Sequence, residues 1–306
     1  MVGVATSYAN PDTDGVAGCV ALVGLAGSLG FPGTLSVVLD GAINGETKEL
    51  FSFAGVALPP TTPPETYDGI ALVDTHHPRQ LPAWVRPVQV RAVIDHHPGG
   101  DPAAFPNAHI DNQAVGAACT LIAERYVASG AALQVPVAVL LQGGILSNTL
   151  EFVAPSTTGR DRAAINRLDV LTGCGDELAA LLRAARARFV EGPTEAIIAA
   201  DIKTFDHRGL QLGLSQLEAP GASTIARRSD FWPAYHRVRS TRGLDVLVVN
   251  LADLAASASV LAVSDPAWQA RLAKRHGISF DAGVGWTGEV FLRKTHLVPM
   301  LIGEGL

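Results

Sequence analysis

Short, largely apolar runs alternate along the chain with longer segments that carry a broad apolar face. Met1 to Thr6, Leu35 to Leu39, Gly69 to Val73 and Arg91 to Ile94 are of the first kind. That is the pattern of strands buried on both faces of a parallel sheet. Val16 to Phe31, Glu46 to Phe53, Gln113 to Ser129, Pro136 to Phe152, Arg160 to Leu171 and Asp176 to Phe189 are of the second kind and are predicted as helices. Asn10-Pro11 marks a turn, and Asp14 is placed to cap the helix that follows. Pro59 to Pro64 is a proline-rich surface loop. Strands alternating with helices predict an α/β domain with a parallel sheet flanked by helices.

Glu191-Gly192-Pro193 breaks this pattern and sets the expected boundary. A first domain is expected over 1–190 and a smaller α/β domain over 194–306. In the second, Glu195 to Phe205 looks helical and carries Lys203. Leu210 to Ala219 alternates as a strand, and Leu244 to Leu251 and Val260 to Ser264 are apolar strands. Asp230 to Arg239 and Trp268 to His276 are helical, so a mixed sheet with helices is expected.

Composition supports a folded, two-domain chain. It has 306 residues, 48% hydrophobic and 17% charged. A net charge of −6 offers no basic footprint, so no nucleic-acid partner is expected. The apolar run from Val16 is glycine-rich and too short to span a bilayer, and no signal peptide is read, so the expectation is a cytoplasmic protein with no membrane partner. Cys19, Cys119 and Cys174 are scattered, as buried free thiols in a reducing compartment would be.

The chemistry lies where the predicted strands end. Asp12 and Asp14 follow the first strand. Asp74 ends the third and is followed by Thr75-His76-His77-Pro78. Asp95 ends the fourth and is followed by His96-His97-Pro98. In a parallel sheet these ends share one edge, so the acids and imidazoles converge. Clustered carboxylates and imidazoles suit Mn²⁺ or Mg²⁺, and such cations polarise phosphoryl groups. On residues alone, metal-assisted phosphoryl hydrolysis is the leading class.

Asn10-Pro11-Asp12-Thr13-Asp14, Leu72-Val73-Asp74, Ile94-Asp95-His96-His97 and Ile145-Leu146-Ser147-Asn148-Thr149-Leu150 resemble the four motifs of the DHH phosphoesterase superfamily. Asp201-Ile202-Lys203-Thr204-Phe205, Gly213 to Glu218 and Arg293-Lys294 through Val298-Pro299 are similar to its DHHA2 domain. The combination is that of family II inorganic pyrophosphatases and short-chain exopolyphosphatases. The glycine-rich histidine motif of the DHHA1 branch is not evident.

The resemblance implies that Asp74 bridges two metals, that Asp12 binds one, and that Asp14 and His96 bind the other. His97 then faces the phosphates, Lys203, Arg293 and Lys294 clamp them, and Asp95 orients the imidazoles. It implies one or two Mn²⁺ or Mg²⁺ ions, pyrophosphate or another small phosphorylated substrate, and allows a homodimer. Two positions depart from the pyrophosphatase pattern. Tyr8 stands where a metal-binding histidine is expected, and Asn148 where an aspartate is expected. Weakened metal binding follows, with a short-chain exopolyphosphatase, another phosphohydrolase or a non-catalytic phosphate-ligand-binding protein as alternatives. His76 and His77 are candidates to replace a lost ligand.

Overall fold

The computed structural model describes residues 2–29, 31, 34–63 and 65–301, the side chains of residues 2, 28, 275, 276 and 294 excepted. The chain divides into two units, Met1–Leu182 and Arg183–Leu306.

In the first unit the elements run β1 (Val2–Thr6), α1 (Thr13–Leu22), β2 (Thr34–Val37), α2 (Gly45–Ala54), β3 (Gly69–Val73), β4 (Val90–Asp95), β5 (His109–Asn112), α3 (Ala118–Ser129), α4 (Val135–Asn148) and α5 (Gly159–Thr172). Helix α6 (Gly175–Val190) spans the division. The five strands form a sheet in the order β2-β1-β3-β4-β5, every pair parallel.

The continuous apolar runs have a simple cause, since both faces of the sheet are covered. Ala71, Val73, Ala92 and Ile94 point into one core with residues of α1, α3 and α4. Ile70, Leu72, Val90 and Val93 point into a second core with Val85 and Phe105. Strand β5 carries no such signal. His109-Ile110-Asp111-Asn112 is mostly polar and only partly buried, as suits an edge strand.

Several boundaries differ from expectation for local reasons. The α-helix expected over Val16 to Phe31 ends at Leu22 and tightens to 3₁₀ over Val23–Leu29, a stretch carrying Gly24 and Gly27. Asp12, not Asp14, caps α1, its Oδ1 accepting from the Gly15 amide at 3.1 Å. Helix α4 stops at Asn148 rather than Phe152, because Leu150, Glu151 and Phe152 take φ values of 50°, 55° and 72°. The left-handed region is closed to a continuing right-handed helix.

In the second unit the elements are α7 (Thr194–Ala199), β6 (Ile202–His207), β7 (Leu210–Ala219), α8 (Phe231–Thr241), β8 (Val246–Asp253), β9 (Ala258–Ala262), α9 (Pro266–His276), β10 (Phe280–Asp281), β11 (Val284–Trp286) and α10 (Val298–Leu301). The strand order is β10-β11-β9-β8-β7-β6, and β7 with β8 is parallel while the other pairs are antiparallel. Lys203 therefore lies on a strand and not on the helix expected for Glu195 to Phe205. The helix ends at Ala199, and the β-rich Ile202-Lys203-Thr204-Phe205 pairs with β7 through the tight Arg208-Gly209 turn. Among the described residues no helix is long and apolar enough to cross a membrane.

Candidate metal centre

Strands β1, β3 and β4 run parallel, so the segments leaving them meet at one edge of the sheet. Asp12 and Asp14 open α1 beyond β1. Asp74 follows β3 directly, and Asp95 closes β4 ahead of His96 and His97. Asp74 is buried and has φ 63°. Such a conformation is costly for a residue with a Cβ and persists where the surroundings hold it. One restraint is the Asp74 amide, which donates to the Ile94 carbonyl at 2.8 Å.

His96 is fixed as a ligand would be. Its Nδ1 lies 2.9 Å from the Val115 carbonyl, which can only accept, so Nδ1 carries a proton and the neutral ring has its lone pair on Nε2. That Nε2 is 3.1 Å from Asp74 Oδ1 and 3.9 Å from Asp14 Oδ2. The Asp14 carboxylate meanwhile caps α3, taking the Ala118 amide at 2.7 Å and the Cys119 amide at 2.9 Å. Burial first, and then the charge of Asp74, push the Asp14 carboxyl up to about 8. A divalent cation among these groups would relieve that repulsion. Oxygen and imidazole donors without thiolate suit Mn²⁺ or Mg²⁺, so Asp14, Asp74 and His96 fit such an ion. Gly144 permits the close approach of α4, since a Cβ there would meet Cys119 Sγ at 2.5 Å and the Asp14 Cα at 3.4 Å.

Asn148 enters the same cluster as a donor. Its Nδ2 lies 2.8 Å from the Gly116 carbonyl, 3.1 Å from His96 Nε2 and 3.3 Å from Asp14 Oδ2. The Gly116 carbonyl sets the amide orientation, because turning the side chain would place two oxygens against each other. Tyr8 is buried, and its hydroxyl accepts from the Asp12 amide at 3.0 Å. The Asp12 carboxylate caps α1 and acts on Asp14 as a like charge.

Asp95 organises the histidine loop. Its Oδ1 accepts from the His96 amide at 2.7 Å, the His97 amide at 3.1 Å and His97 Nδ1 at 2.8 Å, while Oδ2 accepts from His76 Nδ1. Burial alone would raise its pKa, but the bonds from His76 and His97 outweigh that and hold the carboxyl well below the usual range. His97 Nδ1 also lies 3.5 Å from Asp74 Oδ1, and ligand atoms of Asp74, His96 and His97 fall within 4.8 Å of one another.

His76 is turned away from ligation. Nδ1 faces Asp95 and Nε2 faces the Gly99 carbonyl at 2.5 Å, so both ring nitrogens meet acceptors. The bond to Asp95 raises its pKa against the opposing effect of burial. The half-buried His77 has its ring centre 5.4 Å from that of His76.

In the second unit Arg293 is held by Asp201, Nη2 to Oδ2 at 2.8 Å and Nη1 to the backbone carbonyl at 3.0 Å. Lys203 is half-buried on β6, opposite Leu214 of β7. The Lys294 side chain lies outside the described residues. The groups that sequence reasoning misses are the Val115 and Gly116 carbonyls, which have no side-chain signature. Asp201 stands inside a recognised motif but offers no sign of its partner.

The chain matches the family model described as "DHH family, N-terminal domain" over residues 4–145 and that described as "DHHA2 domain" over residues 180–302. It is 27% identical over 299 residues to a manganese-dependent inorganic pyrophosphatase of Methanothrix thermoacetophila, covering 96% of this chain and 95% of that one. It is 25% identical to the manganese-dependent inorganic pyrophosphatase of Bacillus subtilis, covering 96% of each chain. A crystal structure of a Methanococcus jannaschii protein assigned to the family II inorganic pyrophosphatases superposes with a TM-score of 0.82 at 25% identity, covering 99% of each chain. With both domains in order along nearly its whole length, the chain belongs to the DHH family in its DHH-plus-DHHA2 form and resembles the manganese-dependent inorganic pyrophosphatases.

Proposed function

We propose that the chain is a manganese-dependent hydrolase of phosphoanhydride bonds, acting on pyrophosphate. The observation that carries this is the convergence of Asp14, Asp74 and the Nε2 lone pair of His96 at the strand ends. The full-length relatives named as manganese-dependent pyrophosphatases support it. Asp14, Asp74 and His96 would hold the ion. When bound, such an ion polarises phosphoryl oxygens and eases the ionisation of water near neutrality. Asp95 holds the Nδ1 proton of His97, so a neutral His97 carries its lone pair on Nε2, where a phosphate oxygen or its proton can be met. Lys203, Arg293 and Lys294 are the cations proposed to neutralise phosphate oxygens.

Tyr8 and Asn148 weaken the centre. An un-ionised phenol is a poor metal ligand, and the Asn148 amide presents N–H where a carboxylate would supply charge. Metal binding is therefore weaker and turnover slower than a full set of carboxylates would give. The same amide favours a second reading, a protein that holds a phosphorylated ligand without turnover.

Phosphate release from pyrophosphate, tripolyphosphate and nucleotides, with Mn²⁺ or Mg²⁺ present, tests the proposal. Slow release that is fastest from pyrophosphate is expected. Thermal stabilisation by pyrophosphate without product supports the second reading. No release from any of these compounds overturns the first.

A further inference from the structure

Between Asp74 and the histidine loop lies a side chain that the mechanism above does not use. His76 is 1% exposed. Its Nδ1 donates to Asp95 Oδ2, and its Nε2 lies 2.5 Å from the Gly99 carbonyl. The chain folds around it closely. Gly99 and Gly100 have φ values of 79° and 87°, and a Cβ on Gly100 would fall 2.0 Å from His76 Nε2. Only glycine meets both demands there. The Asp101 amide returns to the His76 carbonyl at 3.2 Å. One imidazole thus fastens both ends of His96-His97-Pro98-Gly99, the first through Asp95 and the last through the Gly99 carbonyl.

Asp95 shares its two oxygens between two rings. Oδ2 takes His76, while Oδ1 takes His97 Nδ1 at 2.8 Å and the His96 and His97 amides. A carboxylate held from one side by a buried ring cannot swing away from the other. The Asn112 amide adds a brace, donating to the His97 carbonyl at 3.0 Å.

We propose that His76 is a positioning residue: by bonding Asp95 from Nδ1 and the Gly99 carbonyl from Nε2, it locks the carboxylate that holds His97 in its Nδ1–H tautomer, so that His97 meets a phosphate oxygen through Nε2. The catalytic part of this rests on the hydrolase reading above, and the positioning part does not.

Long-range ¹H–¹⁵N spectra of ¹⁵N-histidine-labelled full-length chain, taken in EDTA and again with Mg²⁺, read the tautomer directly. The His97 signal is assigned by its loss in His97→Gln. The parent is expected to show His97 as Nδ1–H. His76→Leu is expected to give a mixed His97 tautomer, and Asp95→Asn to give the same change. His76→Asn keeps a donor towards Asp95 and is expected to restore the parent signal. A folded His76→Leu chain with His97 still purely Nδ1–H overturns the proposal. If His76→Leu does not fold, His76→Asn and His76→Gln decide: the same His97 tautomer in both overturns it, and retention in His76→Asn alone supports it. With Mn²⁺ and pyrophosphate, His76→Leu should lower kcat by about tenfold or more, with rescue in His76→Asn. A parent that releases no phosphate overturns the hydrolase reading and leaves the tautomer result to stand or fall by itself.

Discussion

Nδ2 of Asn148 lies 3.1 Å from Nε2 of His96, on the ring nitrogen that bears the lone pair. The same amide donates to Gly116 and to Asp14. An uncharged donor thus bridges groups that otherwise suit a cation, and it steadies the cluster without metal.

Asn148→Asp should reverse that balance. In EDTA the new carboxylate faces the Gly116 carbonyl and Asp14 with no cation between them, so stability should fall by roughly 3 kcal/mol. Added Mn²⁺ should restore it, so that the melting temperature depends on Mn²⁺ far more steeply than in the parent. Combined with Tyr8→His, Mn²⁺ affinity and pyrophosphate turnover should rise together. Calorimetric titration with Mn²⁺ checks this, and a parent that already binds two ions as tightly as the double variant counts against it.

Gly144→Ala should disturb the centre through packing alone. The added Cβ would fall 2.5 Å from Sγ of Cys119, the residue whose amide donates to Asp14, and at contact distance from the Asp14 Cα. A loss of about 2 kcal/mol in urea unfolding is expected, with weaker Mn²⁺ binding although no ligand is changed.

The strand-end acids are legible in the sequence because a buried strand followed by Asp, or by Asp-His-His, is a local pattern. The parallel order then brings Asp14, Asp74 and His96 together. The direction of Asn148 is not legible, since it depends on the Gly116 carbonyl of another segment. Nor is the cap that Asp14 places on α3, which joins residues 104 and 105 positions apart. Strand β5 escapes for want of apolar residues. The Lys203 strand escapes because the helical pattern of α7 runs without a breaker into Ile202.

Asp253 offers a pH test in the second unit. Burial would raise its pKa, but the Ser223 hydroxyl and the Gly221, Ser223 and Ala256 amides hold it below its ordinary value. A carboxyl lowered in the folded state adds stability above its unfolded pKa of about 3.9, and that stability is lost as pH falls through the lower folded value. Asp253→Asn should cost about 2 kcal/mol at pH 7. It should also flatten the acid limb of the stability profile, measured by urea midpoints from neutrality down.

The β6–β7 turn leaves room for improvement. Arg208 and Gly209 both have positive φ, 55° and 81°, the geometry that favours Asn-Gly. Arg208→Asn should raise stability by about 1 kcal/mol, read as a higher urea midpoint with unchanged slope.

Manganese-dependent phosphate release from pyrophosphate, compared in the parent and in Asp74→Asn, tests most directly whether the strand-end centre does the chemistry. The expected result is slow, saturable dependence on Mn²⁺ in the parent, abolished by EDTA, with a loss of about a hundredfold or more in Asp74→Asn. Turnover that survives EDTA, or that Asp74→Asn leaves unchanged, would contradict it.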